Sequence, residues 1–143
     1  MRLEKVGRIE LIYTAVDEET PYPEGGQVYG ILTGTLDAGR LHGIVHATNF
    51  ARLRPDGVFL PRLRGILTTS EGPRLMFTMD GLSVRDPRAK PPRRLVTTGI
   101  TLWNADPRFR EWNESYLVAE LEGGPMKDSW GVIGPLYRCV SEL

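Results

Sequence analysis

Apolar and polar residues alternate along most of this chain in short runs, each closed by a turn signal. Residues 6–16 (VGRIELIYTAV) form a run rich in Ile, Val, Tyr and Thr, types that fit a pleated, half-buried surface. The polar segment DEETPYPEGG comes next as a predicted loop. Residues 28–36 (VYGILTGTL) and 41–50 (LHGIVHATNF) read as a hairpin closed by Asp37-Ala38-Gly39-Arg40, where Gly supplies a positive φ. Arg54-Pro55-Asp56-Gly57 is the clearest turn, with Pro presetting φ at its second position. The strand predicted over residues 58–69 carries Pro61, which marks a bulge or an edge. Ser70-Glu71-Gly72-Pro73 then turns into residues 74–79 (RLMFTM).

Residues 82–94 (LSVRDPRAKPPRR) break the alternation. Three prolines remove the donors a sheet needs, so a long exposed loop is expected. Its Arg85, Arg88, Lys90, Arg93 and Arg94 outweigh Asp86; it is either a solvated loop or a lid that attracts an anionic substrate. A strand resumes over residues 95–103 (LVTTGITLW). Asp106-Pro107 opens the one helical signal, near residues 107–113, with Asp as cap and Pro in the first turn. Residues 116–122 and 130–140 are the last two strands. About eight or nine short strands joined by turns call for a sandwich or a barrel. An antiparallel set of about eight closes into a barrel whose interior holds one small ligand. The expected fold is therefore all-β, a single small antiparallel β-barrel domain over residues 1–143.

Composition changes this picture little. Sixteen Gly and eleven Pro suit a chain of many turns. Eighteen basic residues balance eighteen acidic ones, so no net charge draws the chain to nucleic acid or an anionic membrane, and neither partner is expected. Cys139 is the only cysteine; no internal disulfide forms, which suits a reducing, cytoplasmic location. The start, MRLEKVGRIELIY, mixes charge with apolar residues unlike a signal peptide. No apolar run approaches the length of a membrane span. There is no dinucleotide fingerprint, phosphate loop, nucleophile elbow or zinc motif, so no cofactor and no metal are expected.

Candidate chemistry lies in a few side chains. His42 and His46 are the only histidines, and histidine moves protons best near neutral pH. On a strand their spacing spans roughly 13 Å, too far for one metal ion. His46 is the candidate for proton transfer; the plain alternative leaves both rings hydrogen-bonded or on solvent. Arg62 and Arg64 share one strand face. Inside a barrel they would need an anionic ligand or acidic partners; outside, they reach solvent or pair across strands. Glu120 shares a face with Tyr116, and a buried Glu there would be a general acid or base. Trp103, Trp112, Trp130, Tyr116 and Tyr137 are of the kind that line apolar pockets. Asn113 serves a site or caps the helix.

Several short motifs occur in an order that resembles a known family. They are Arg40-Leu41-His42-Gly43, Arg54-Pro55-Asp56-Gly57-Val58, Arg64 leading to Leu67-Thr68-Thr69 and Glu71-Gly72, then Asp106-Pro107-Arg108-Phe109 and Trp112-Asn113. Together they resemble the domain of unknown function 3237, found in bacterial and fungal proteins. The resemblance implies a calycin/lipocalin-like barrel and favours Arg64 and Asn113 as site positions. Similar small barrels in biosynthetic clusters suggest isomerases, cyclases or lyases acting on polyketide-like molecules. Asn49-Phe50, Arg62 and Leu102-Trp103 stand where the family tends to carry an acidic residue.

Three functions emerge as expectations. The first is a cofactor-independent enzyme that binds a small, apolar, oxygenated molecule and catalyses proton transfer, isomerisation or cyclisation. Its catalytic residues would be His46, Arg64 and Asn49, with His42, Arg62, Trp103, Asn113, Tyr116, Glu120 and Tyr137 binding substrate. The second is a carrier of such a molecule. The third is an oligomeric interaction protein, a homodimer most simply, built through strand edges with no pocket.

Overall fold

A computed structural model describes the backbone of residues 1–143 and the side chains of all but residues 18–22. Nine antiparallel strands form one sheet: β1 (Arg2–Tyr22), β2 (Gly25–Ala38), β3 (Leu41–Leu53), β4 (Phe59–Leu60), β5 (Arg62–Thr69), β6 (Arg74–Asp86), β7 (Arg93–Trp103), β8 (Leu117–Met126) and β9 (Ser129–Val140). β4 and β5 are one strand interrupted at Pro61; both pair with β3 on one side and β6 on the other. Each strand lies beside its sequence neighbours, and β9 returns to pair with β1 from Arg2–Val140 to Ile12–Gly131. The chain is an up-and-down antiparallel β-barrel, and closure removes the sheet edges.

Alternation decides what faces inward. On β3, Leu41, Val45, Ala47, Asn49 and Ala51 are buried while the residues between them are not. On β1, Ile9, Leu11 and Tyr13 share the inward face. The β1–β2 register then slips between Tyr13 and Ala15, and the extra residue reverses the parity of the positions beyond it. Thus Val16, not Ala15, lines the interior.

One end of the barrel is plugged. Asp106 accepts a hydrogen bond from the Arg108 N–H and caps a 3-10 turn, Pro107–Phe109, that runs into α1 (Arg110–Asn113). Trp112 of α1 joins the core, with Phe109 packed against it. The Arg138 guanidinium lies 4.8 Å over the Trp112 ring and meets Glu111 at 2.9 Å. No helix among the described residues is long and apolar enough to cross a membrane.

Two predicted loops shrink. β1 continues through Tyr22 and β2 starts at Gly25, although the side chains of residues 18–22 lie outside the described set. The expected loop over residues 82–94 is confined to 87–92, because β6 continues to Asp86 and β7 begins at Arg93. All three prolines fall in the shortened loop. Arg93 binds Asp86 at 3.0 Å and Glu122 at 2.7 Å, tying β6, β7 and β8 together across their outer faces.

Candidate functional site

The end of the barrel opposite α1 opens into a cavity of about 750 Å³, within the usual range for small-molecule sites. Its apolar wall includes Leu32, Leu63, Met79 and Val132, and Tyr13, Phe59 and Trp130 stand around it. Two glycines on neighbouring strands seat two of those rings. A Cβ on Gly30 would strike the Tyr13 ring, and one on Gly123 would strike Trp130. The Tyr13 and Trp130 rings are 6.3 Å apart between centroids, tilted by 44°.

The polar groups of the cavity are few and fixed. Asn49 is only 4% exposed. Its Nδ2 donates to the Tyr13 hydroxyl oxygen at 2.7 Å, and its Oδ1 accepts from the Arg62 backbone N–H at 2.9 Å. Arg62 lies just past the last β3–β5 pair, Asn49–Leu63, so the side-chain amide takes up an N–H that the ladder leaves. Engagement of both ends fixes the amide's orientation. Tyr13 receives a hydrogen bond through its oxygen, and its own hydroxyl hydrogen has no acceptor among the described residues. Burial pushes the Tyr13 pKa up, against a smaller opposing effect of the Asn49 hydrogen bond. The phenol therefore stays neutral and able to donate.

Arg94 stands nearer the mouth. Its Nε donates to Ser83 Oγ at 2.8 Å, and its Nη2 donates to the carbonyls of Gly57 at 2.8 Å and Ser83 at 2.9 Å. The guanidinium lies 4.4 Å over the Phe59 ring. Burial, and then the neighbouring Arg85 charge, lower its pKa, but a guanidinium remains charged at any ordinary pH. Asp56 at the rim is paired with Arg54, and that bond, followed by the Val58 N–H, holds its carboxyl below the usual range.

Of the residues singled out from sequence, Asn49 and Trp130 line the cavity, as do Arg85, Arg93 and Arg94 of the basic segment. The other candidates lie elsewhere. The alternation that turns Val45, Ala47 and Asn49 inward turns His42 and His46 outward. His46 Nδ1 lies 3.4 Å from Thr33 Oγ1, and His42 Nε2 lies 3.4 Å from Ser70 Oγ. Arg62 and Arg64 point outward from β5, and Arg64 forms a bidentate pair with Asp80 at 3.0 and 3.1 Å. Trp103, Tyr116 and Glu120 are exposed. Tyr137 alternates with the inward Leu136 and is half-buried on the outer face. Asn113 clips α1 to the chain after β7, accepting from the Asn104 N–H at 2.9 Å and donating to its carbonyl at 2.8 Å. The sequence reading missed Tyr13 and Ser83, and placed Arg94 in an exposed loop rather than on an inward strand position. The spacing Ile9, Leu11, Tyr13 was the available signal for the first.

No family model and no curated protein matches this sequence. Solved structures do match its fold. A β-barrel-like protein from Acinetobacter baumannii superposes with a TM-score of 0.80 at 16% identity, covering 96% of this chain and 94% of that one. A conserved protein of unknown function from Rhodopseudomonas palustris gives 0.77 at 13% identity, covering 96% and 97%. An enzyme from Penicillium herquei gives 0.67 at 13% identity, covering 96% and 92%. The barrel is common to all of them. At these identities the likeness shows the fold alone.

Proposed function

We propose that the protein binds a small, largely apolar molecule bearing a carbonyl or hydroxyl oxygen in the open end of its barrel. The cavity itself carries this reading: about 750 Å³ with aliphatic walls and the unpartnered Tyr13 hydroxyl hydrogen among them. Burial of apolar ligand surface supplies affinity at about 25 cal/mol per Å². A buried donor without an acceptor is unfavourable, so a ligand oxygen that accepts from Tyr13 fixes orientation. The closed ring favours a pocket over an oligomer built through strand edges; a homodimer would have to use outer faces.

A second reading adds cofactor-independent isomerisation or cyclisation. It is favoured by Tyr13, a neutral donor placed to stabilise an oxygen that gains charge, held by Asn49. The proposed kinship with the domain of unknown function 3237 and the shared barrel of the Penicillium herquei enzyme point the same way. The bound molecule would supply its own nucleophile, since His46 and His42 lie outside the barrel.

The test is a thermal-shift screen of polyketide-like, terpenoid and aromatic compounds, followed by mass spectrometry and chiral chromatography. We expect at least one compound to raise Tm, and Tyr13→Phe to weaken its binding about tenfold. Recovery of the compound unchanged supports binding alone, and recovery of an isomer supports catalysis. Absence of any shift, or a shift that survives Ala51→Trp in the cavity, sinks the reading.

A further inference from the structure

Arg93 and Arg94 are adjacent in sequence and opposite in circumstance. Arg93 faces outward and meets two carboxylates, Asp86 and Glu122. Arg94 belongs to the inward parity of β7, two residues before the buried Val96, and lines the cavity. Among the described residues it meets no carboxylate. Its three hydrogen bonds go to neutral oxygens, from Nε and Nη2. They clamp the guanidinium plane against Phe59, and no described residue accepts from Nη1. The guanidinium fixed in this way keeps its charge and the two Nη1 hydrogens for a carboxylate or similar anion.

Among the described residues, the charges along the cavity lining do not cancel. Arg93, at the cavity rim, is neutralised by Asp86 and Glu122, and Asp56 is neutralised by Arg54. Arg85 and Arg94 remain, and no acid among the described residues lies within ion-pair distance of either. A half-buried cation beside a second cation is unfavourable without a counter-ion. The neutral anchors of Arg94 hold it in place without cancelling its charge.

We propose that the molecule bound in the cavity is an organic anion: an apolar body against Leu63, Met79 and Val132, with a single acid group on Arg94 and Arg85 at the mouth. This rests on the reading of the cavity as a binding site and adds the charge of its occupant. Phe59, stacked under Arg94, presents apolar surface where body and acid group join.

Two dyes that differ only in the acid group test it. 1-Anilinonaphthalene-8-sulfonate carries the anion, and N-phenyl-1-naphthylamine has the same rings without it. Affinities are measured by fluorescence titration on the intact chain, with near-UV circular dichroism to confirm that each variant is folded. The expected result is that both bind, the sulfonate about tenfold or more tightly. Arg94→Gln should remove the preference by weakening the sulfonate far more than the neutral dye. Arg94→Lys, which keeps charge without the fork, should retain part of it, and Arg85→Gln should reduce it. Equal affinities in the parent protein would overturn the anion proposal and leave the cavity reading standing. So would a preference that survives both Arg94→Gln and Arg85→Gln. Failure of both dyes to bind, or binding that Ala51→Trp does not weaken, would overturn the cavity reading as well.

Discussion

The two ends of the barrel are made by the same strands and filled by different residues. At the plugged end, Leu36, Leu67, Leu75, Leu117 and Leu136 are completely or almost completely buried, and Trp112 of α1 closes over them. At the open end the inward positions of those strands carry Gly30, Asn49, Ala51, Ser83 and Gly123. Large aliphatic side chains at one end supply apolar burial; at the other, Asn49, Ala51 and Ser83 leave room, while Gly30 and Gly123 seat the Tyr13 and Trp130 rings. The cavity therefore reflects side-chain size at inward positions together with the register slip after Tyr13 that turns Val16 inward. Stability is concentrated at one end so that the other can stay hollow.

The comparison breaks most readily at Trp112. Trp112→Ala should cost about 3–5 kcal/mol in urea denaturation; a loss comparable to that of a surface substitution would show that the plug does not hold the fold. Gly30→Ala is next. Overpacking at such a contact costs about 1–3 kcal/mol, and the new methyl would displace the Tyr13 ring, so stability and ligand affinity should fall together. Unchanged affinity would separate the Tyr13 ring from the binding site.

A smaller effect is expected from Asp86, a buried carboxylate at the end of β6. The Arg88 N–H and the Arg93 guanidinium hold its carboxyl below the usual range. A depressed folded-state pKa means that its stabilisation is present above the ordinary carboxylate value, about pH 4, and is lost as pH falls through the folded value. Urea midpoints of Asp86→Asn should lie below the parent's near neutral pH and converge with them in acid. Parallel curves would show that the Asp86 charge contributes nothing. The smallest effect belongs to Thr98, whose buried Oγ1 has no hydrogen-bond partner among the described residues. Thr98→Val should leave stability unchanged or raise it by up to about 1 kcal/mol. A clear loss would mean that an ordered water or ligand oxygen uses that hydroxyl.

The strands and the helix cap were legible because alternation and turn chemistry are local. The Arg54–Gly57 turn, the β2–β3 hairpin and the Asp106 cap fall where the residues place them. The site was less legible because it depends on parity. In LHGIVHATNF, the chemistry of His42 and His46 drew attention, yet Leu41, Val45 and Ala47 already mark the opposite face as the interior. Asn49 sits on that inner face. Arg94 was hidden for another reason. The prolines of residues 87–92 obscured the alternation that continues on either side of them, so its inward parity vanished into an apparent loop. Tyr13 lies at the last regular position before a slip in register, where a pattern read by eye loses its phase.

The joint between β1 and β9 also has a consequence for how the molecule comes apart. Every other pairing in the ring joins strands close in sequence, whereas this one unites the two ends of the chain and carries the largest loop-closure entropy. The open cavity straddles it: Tyr13 comes from β1, Trp130 and Val132 from β9, and Ser129 Oγ ties back to the Tyr13 carbonyl at 2.7 Å. An occupant touching both strands acts as a clasp on that joint, so filling the cavity should slow the opening of the barrel as well as shift its equilibrium.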